Sequence, residues 1–239
     1  MLDTILFDLD GTLLPLDLER FIQIYFSEIG QTFSDLMEPK LIMKHIWDAT
    51  HTMVSSTDER TNETVFMEKF GQLIDGDLAT YQQRFDQFYD QGFLNARASV
   101  VDTPVMQAAV RHLKAKGFNL VIATNPLFPE KAIHHRIRWA GFEPTEFSYI
   151  TSYERNHYCK PQPLFYRELL AEIGKEPNQC LMVGNDVQED LIAASVGIPT
   201  FLIKDYLIHR DETPIRTDFE GSYHDFFNFV NQLPPPVQP

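Results

Sequence analysis

Two kinds of apolar spacing divide the chain. Through residues 1–14, and again from about residue 101, apolar positions come in short uninterrupted runs; from 15 to 100 they recur at helical intervals. Ile5-Leu6-Phe7 ends in Asp8-Leu9-Asp10-Gly11-Thr12, and an apolar run bounded by turn residues predicts a strand buried on both faces. Phe118–Ala123 is a second such run, closing at Thr124-Asn125-Pro126. Thr103-Pro104, an N-cap followed by proline at the first helical position, predicts a helix between them that stops at Gly117.

The alternation then continues. A helix over Pro129–Ala140 stops at Gly141, a weak strand spans Phe147–Thr151, and a helix over Pro163–Ile173 ends at Gly174. Cys180–Val183 reads as a strand, Val187–Val196 as a helix closed by Gly197, and Thr200–Ile203 as a further strand. Helix and strand units of this length predict an α/β fold with a doubly wound, Rossmann-like parallel sheet.

Between residues 15 and 100 the pattern has no convincing strand. Leu18, Phe21, Ile22, Tyr25 and Phe26 keep helical spacing, as do Phe66, Phe70, Leu73 and Ile74, and then Tyr81, Phe85, Phe88 and Tyr89. The expected organisation is a core of 1–14 and 101–239 with a smaller all-helical domain, 15–100, inserted after the first strand. Phe226, Phe227 and Phe229 read as the buried side of a last helix, and Pro234–Pro239 as a frayed end.

Composition narrows the function. With 20 Lys+Arg against 34 Asp+Glu, the formal net charge of −14 argues against nucleic acid and against an anionic membrane surface. At 44% hydrophobic residues the chain is ordinarily globular, and two cysteines, Cys159 and Cys180, build no disulfide framework. No apolar run approaches the roughly 20 residues that span a bilayer, and no basic segment leads into a signal-type apolar core. The expectation is a soluble, cytoplasmic protein.

Ligands of open parallel sheets bind outside the carboxyl ends of the strands. Asp8 and Asp10 stand at the first such end, Thr124 and Asn125 at the second, and Asn185, Asp186 and Asp190 at a later one. Two carboxylates one residue apart repel each other when buried, and a hard divalent cation relieves that repulsion. Mg²⁺ takes a few carboxylates, waters and substrate phosphate, so Asp8 and Asp186 are suitable ligands. A carboxylate such as Asp8 also attacks phosphorus, and Asp10 would protonate the leaving alkoxide and deprotonate the later water. The phosphoryl charge needs donors: the Thr124 hydroxyl, the Asn125 amide and the Lys160 ammonium, which would also keep Asp8 ionised.

Phe7-Asp8-Leu9-Asp10-Gly11-Thr12, Thr124 after an apolar strand, Lys160 in Lys-Pro, and Gly184-Asn185-Asp186-Val187-Gln188-Glu189-Asp190 follow one another in an order that resembles the haloacid dehalogenase superfamily of hydrolases. The resemblance implies Asp8 as nucleophile, Asp10 as acid and base, Thr124 and Lys160 as orienting groups, and Mg²⁺ held by Asp8, the Asp10 carbonyl and Asp186. It also implies that the helical insertion is a cap over the site. Many relatives carry Asp where Asn185 stands, so Asp186 is taken as the direct ligand and Asp190 as a partner acting through water or a neighbouring ligand.

The leading function is a Mg²⁺-dependent phosphomonoester hydrolase acting on a small soluble metabolite. A phosphosugar mutase shares the same core chemistry. Dehalogenation is disfavoured because halide leaves without a proton and gives Asp10 no task. A receiver-type signalling module places its phosphoacceptor after a middle strand, and a non-catalytic phosphate binder has no need of the full motif set. His134, His135 and Arg136 read as a solvated or partner-facing helix surface. His45, Trp47 and His51 fall within the helical insert. The Cys159 thiol has no identifiable base.

Overall fold

In the computed structural model, which describes residues 1–236, six strands form one parallel sheet. They are β1 (Thr4–Phe7), β2 (Asn119–Ile122), β3 (Tyr149–Ile150), β4 (Cys180–Gly184), β5 (Thr200–Ile203) and β6 (Phe219–Gly221), in the order β3-β2-β1-β4-β5-β6. Strand β1 pairs with β2 through Phe7 and Ile122, and with β4 through Phe7 and Val183. Alternate side chains leave the sheet on opposite faces. Ile5, Phe7, Leu181 and Val183 join one core, and Leu6, Val121 and Met182 join another.

The helices are α1 (Leu18–Thr32), α2 (Pro39–Ser55), α3 (Asn62–Gly71), α4 (Leu78–Asp90), α5 (Pro104–Lys116), α6 (Glu130–Trp139), α7 (Pro163–Ile173) and α8 (Tyr223–Gln232). Helix α7 buries Phe165, Tyr166 and Leu169 against the core that holds Leu6, whereas α5 and α8 belong to the core on the other face. That face includes Phe226, whose ring meets Phe7 edge-on at 5.9 Å. The predicted stop of α5 is met by Gly117, left-handed at φ 89°.

Every regular element from Leu18 to Ser99 is helical, ending in a 3-10 segment over Gly92–Ser99. It leaves and re-enters the sheet region along paired segments: Asp17 N donates to Ser99 O at 2.9 Å and Val101 N to Pro15 O at 2.9 Å. Aromatic packing fills this segment, with Phe88 against Tyr25 at 5.4 Å and against Tyr89 at 4.9 Å. Tyr25 also meets Phe128, beyond β2, at 5.7 Å.

Two elements differ from the sequence expectation. The helix expected over Val187–Val196 is instead a turn followed by a 3-10 segment, Leu191–Val196. The Asp186 carboxylate binds the N–H groups of Gln188 and Glu189, both at 3.0 Å, and the Asp190 carboxylate turns back to the Asp186 N–H at 2.9 Å. Such local side-chain bonds compete with the helical ladder. Strand β6 was not anticipated, because Phe219-Glu220-Gly221 carries one apolar residue and no alternation at the sheet edge. Pro234–Pro236 have no regular structure, and the rest of the expected frayed tail lies outside the described residues.

Candidate active site

The carboxyl ends of β1, β2 and β4 meet at one place. Asp8 still belongs to the ladder, its N–H donating to Val183 O at 2.9 Å, so its backbone is fixed by the sheet. A turn then begins, with Gly11 at φ +80° and its N–H donating to Leu14 O at 2.8 Å. A Cβ on Gly11 would sit 2.3 Å from Asn185 Nδ2, so only glycine permits this approach. Asn185 is used up here: Thr12 Oγ1 donates to its Oδ1 at 2.9 Å and its Nδ2 donates to Tyr206 O at 2.7 Å.

Lys160 is fully buried and donates to Asp8 Oδ1 at 3.0 Å and to Asp190 Oδ1 at 2.6 Å. Burial opposes its charge, but Asp190 and Asp8 outweigh that and hold it well above the ordinary lysine range, so it remains an ammonium. Burial pushes the Asp8 carboxyl well above the usual carboxylate range; Lys160 opposes this, while Asp190 and Asp10 add to it. Asp8 therefore sits where further positive charge is needed to keep it an anion. Both Asp190 oxygens are occupied, one by Lys160 and one by the Asp186 N–H, so Asp190 faces Lys160 and not the cavity.

Asn125 departs from its expected part as a phosphate donor. Its Oδ1 accepts from Lys160 N at 3.1 Å, and its Nδ2 donates to Lys160 O at 3.3 Å and Glu189 Oε2 at 3.0 Å. Its amide holds the Lys160 backbone in place, which leaves no side-chain N–H for phosphate. Thr124 is buried and lines the cavity, and its carbonyl accepts from Thr151 Oγ1 at 2.7 Å.

Arg136 corrects the surface reading of its helix. It is 1% exposed, donates through Nη1 to Asp10 Oδ2, and lies 4.5 Å from the Phe128 ring centroid. The signal was present: Ala132, Ile133, Arg136 and Ile137 occupy one buried face of α6, a helical stripe that includes the arginine. The other Asp10 oxygen, Oδ1, is buried without a partner among the described residues, as are Arg136 Nε and Nη2. A second arginine escaped the sequence reading too. Arg210 donates from Nη1 to Asp186 Oδ1 at 2.8 Å and pairs through Nη2 with Oδ2 at 2.6 Å. Ile208 places it there by bridging to Asp186, with Val187 N donating to Ile208 O at 2.9 Å.

Asp8, Asp10, Asp186 and Asp190 are thus met by Lys160, Arg136 and Arg210. For Mg²⁺ the donor chemistry fits: Asp8, Asp186 and the Asp10 carbonyl are all hard oxygens, and that carbonyl accepts no hydrogen bond among the described residues. No group of three metal-ligating side chains is assembled among the described residues. Both cysteines are buried, and burial pushes each thiol up to about 12, so neither supplies a thiolate nucleophile at neutral pH.

Over these groups lies a cavity of about 920 Å³, floored by Asp8, Asp10, Thr124 and Asp186 and walled by α1 to α4. Residues 2–197 match the family described as haloacid dehalogenase-like hydrolase. The chain is 21% identical to pyrophosphatase PpaX of Bacillus cereus over 199 residues, 83% of this chain and 82% of that protein. It is also similar to the solved structure of a HAD phosphatase from Thermococcus onnurineus, with a TM-score of 0.60 and 18% identity, covering 96% of this chain and 98% of that one. A HAD-hydrolase from Bacillus subtilis bound to magnesium gives a TM-score of 0.60 and 17% identity, covering 96% and 99%. Likeness at these identities establishes a shared fold.

Proposed function

This chain belongs to the haloacid dehalogenase-like hydrolase family, and from that premise we propose that it is a phosphomonoester hydrolase in which Asp8 attacks phosphorus and Asp10 carries the proton. The carrying observation is the buried chain Asp190–Lys160–Asp8, which orients one Asp8 oxygen and leaves the other without a partner among the described residues at the cavity floor. That oxygen forms the bond to phosphorus as the ester P–O bond breaks. The electron pair stays on the departing alkoxide, which takes its proton from Asp10. Arg136 holds the Asp10 carboxylate through Oδ2 at the edge of the cavity. Water then attacks phosphorus, Asp10 takes its proton, and the bond to Asp8 breaks to release inorganic phosphate.

Thr124 and Lys160 serve as donors to the phosphoryl oxygens, Asn125 positions Lys160, and Asp190 keeps the Lys160 ammonium in place. Asp8, Asp186 and the Asp10 carbonyl would hold Mg²⁺, which when bound supplies positive charge against the phosphoryl oxygens. Arg210 shares the Asp186 carboxylate with any such ion. Residues 15–100 act as a cap that keeps bulk water from the reacting group. Dehalogenation gives Asp10 and its buried arginine no proton to move.

Inorganic phosphate release from a panel of phosphomonoesters tests the reaction. Turnover is expected with added Mg²⁺, is lost on chelation and returns with excess Mg²⁺. No release from any ester would refute the hydrolase chemistry, and release indifferent to chelation would refute the metal. Arg136→Met is expected to lower kcat by about 10²-fold with little change in KM, because one charge-assisted partner of Asp10 is lost. Arg136→Lys should recover part of the rate; a wild-type kcat in Arg136→Met would remove Arg136 from the reaction.

A further inference from the structure

Much of the cavity lining contributed by α1 to α4 is apolar. Ile22 and Phe26 of α1, Trp47 of α2, Phe66 and Met67 of α3 and Phe85 of α4 all line it. Two of these are large side chains left open: Ile22 is 44% and Trp47 66% exposed. Single exposed apolar residues are ordinary, but exposed residues gathered on the wall of one cavity make a binding surface. The volume falls toward the upper end of the roughly 300–1,000 Å³ that drug-sized ligands occupy, well beyond what a phosphate group needs.

The charges of the cavity point the same way. Arg136 and Arg210 are paired with Asp10 and Asp186, and Lys131, which also lines the cavity, is paired with Asp90 at 3.0 Å. Glu63, Asp86 and Glu154 line the same space. Burial, then Glu154 and Asp86, raise the Glu63 carboxyl, as expected where anions crowd together. A second phosphate or carboxylate on the substrate would meet like charge there, and each of Arg136, Arg210 and Lys131 already faces a carboxylate.

Building on the phosphomonoesterase reading above, we propose that the substrate is a phosphomonoester of an apolar alcohol, aromatic or medium-chain aliphatic, carrying no second anionic group. The phosphate lies on the floor formed by Asp8, Asp10, Thr124 and Asp186, and the apolar group lies against Ile22, Phe26 and Trp47. Recognition of the alcohol comes from area removed from water, so affinity grows with its length until the cavity is filled.

Straight-chain alkyl phosphates from ethyl to octyl isolate this effect, because their leaving alcohols have nearly equal acidity and differ in apolar area. With Mg²⁺ present, kcat/KM is expected to rise about twofold per methylene, on the order of 50-fold from ethyl to octyl phosphate, for partly buried methylenes. Ile22→Ser and Phe26→Ser should each reduce the octyl-to-ethyl ratio several-fold. Release across the series with less than about threefold spread, or a preference for pyrophosphate or phosphoglycolate over octyl phosphate, overturns the apolar assignment and leaves the hydrolase reading standing. If no ester of either kind releases phosphate, the hydrolase reading fails and the substrate assignment fails with it.

Discussion

Asp8→Asn is expected to lower phosphate release by roughly 10⁴-fold or more while the protein remains folded, because an amide oxygen does not serve as the nucleophile. The stability side of the result is equally informative. Burial disfavours the Asp8 anion, and Asp190 and Asp10 add to that strain, so the charge is held there at a cost. Asparagine keeps the shape and removes the charge. Lys160 retains Asp190 as its nearer partner, at 2.6 Å against 3.0 Å for Asp8. The melting temperature of Asp8→Asn should therefore equal or exceed that of the wild type. Activity falling while stability holds or rises marks a residue kept for chemistry. Turnover near the wild-type rate, measured as inorganic phosphate, would eliminate Asp8 as nucleophile, and a large loss of melting temperature would mean that its charge holds the fold together.

Lys160→Ala should fail in both respects. The fully buried ammonium joins Asp8 and Asp190, and its loss leaves two carboxylates facing each other without a cation. Breaking a buried pair from one side costs about 3–5 kcal/mol, a large share of a domain's stability. Activity is expected to drop by at least about 10²-fold, since the donor that orients Asp8 is gone. An unfolded variant would reveal nothing about catalysis, so the informative protein is Lys160→Met combined with Asp190→Asn. Its denaturant midpoint should return toward that of the wild type, because the unpaired charge on Asp190 is removed. Its phosphate release should stay low. Recovery of both together would reduce Lys160 to a structural residue.

The acidic balance of the whole chain and the charge of the site are separate matters. At −14 the protein repels polyanions, yet the four aspartates of the site face two buried cations, Lys160 and Arg136, and the half-exposed Arg210. One added divalent ion would shift that local balance toward the positive sign a phosphate requires.

Some of this site is written plainly in the chain. Asp8 and Asp10 follow an apolar run, and such a run ends at the carboxyl edge of a parallel sheet, where ligands bind. Lys160 stands just before a predicted helix and arrives at Asp8 as the family resemblance implies. Asn125 was legible as a polar residue at a strand end, but its commitment to the Lys160 backbone depends on two loops that are 35 residues apart meeting at hydrogen-bond distance. Arg136 was visible as one member of a helical stripe, yet an arginine in such a stripe reads as solvated until the partner that neutralises it is known. Arg210 gave no periodic signal, because an irregular bridge beside Asp186 carries it into the site.

The sequence by itself determined the strands at the centre of the sheet, the acids at their ends and the helical character of 15–100, since each depends on local periodicity and turn chemistry. It could not determine what covers an apolar face. Ile22 and Phe26 keep the same helical rhythm as Phe21 and Tyr25, and that rhythm alone assigns all four to a core. Only the tertiary structure decided that part of this face looks onto an open cavity above the aspartates, because hydrophobicity specifies a preference for leaving water, whereas the arrangement of distant helices decides whether another side chain or a ligand satisfies it.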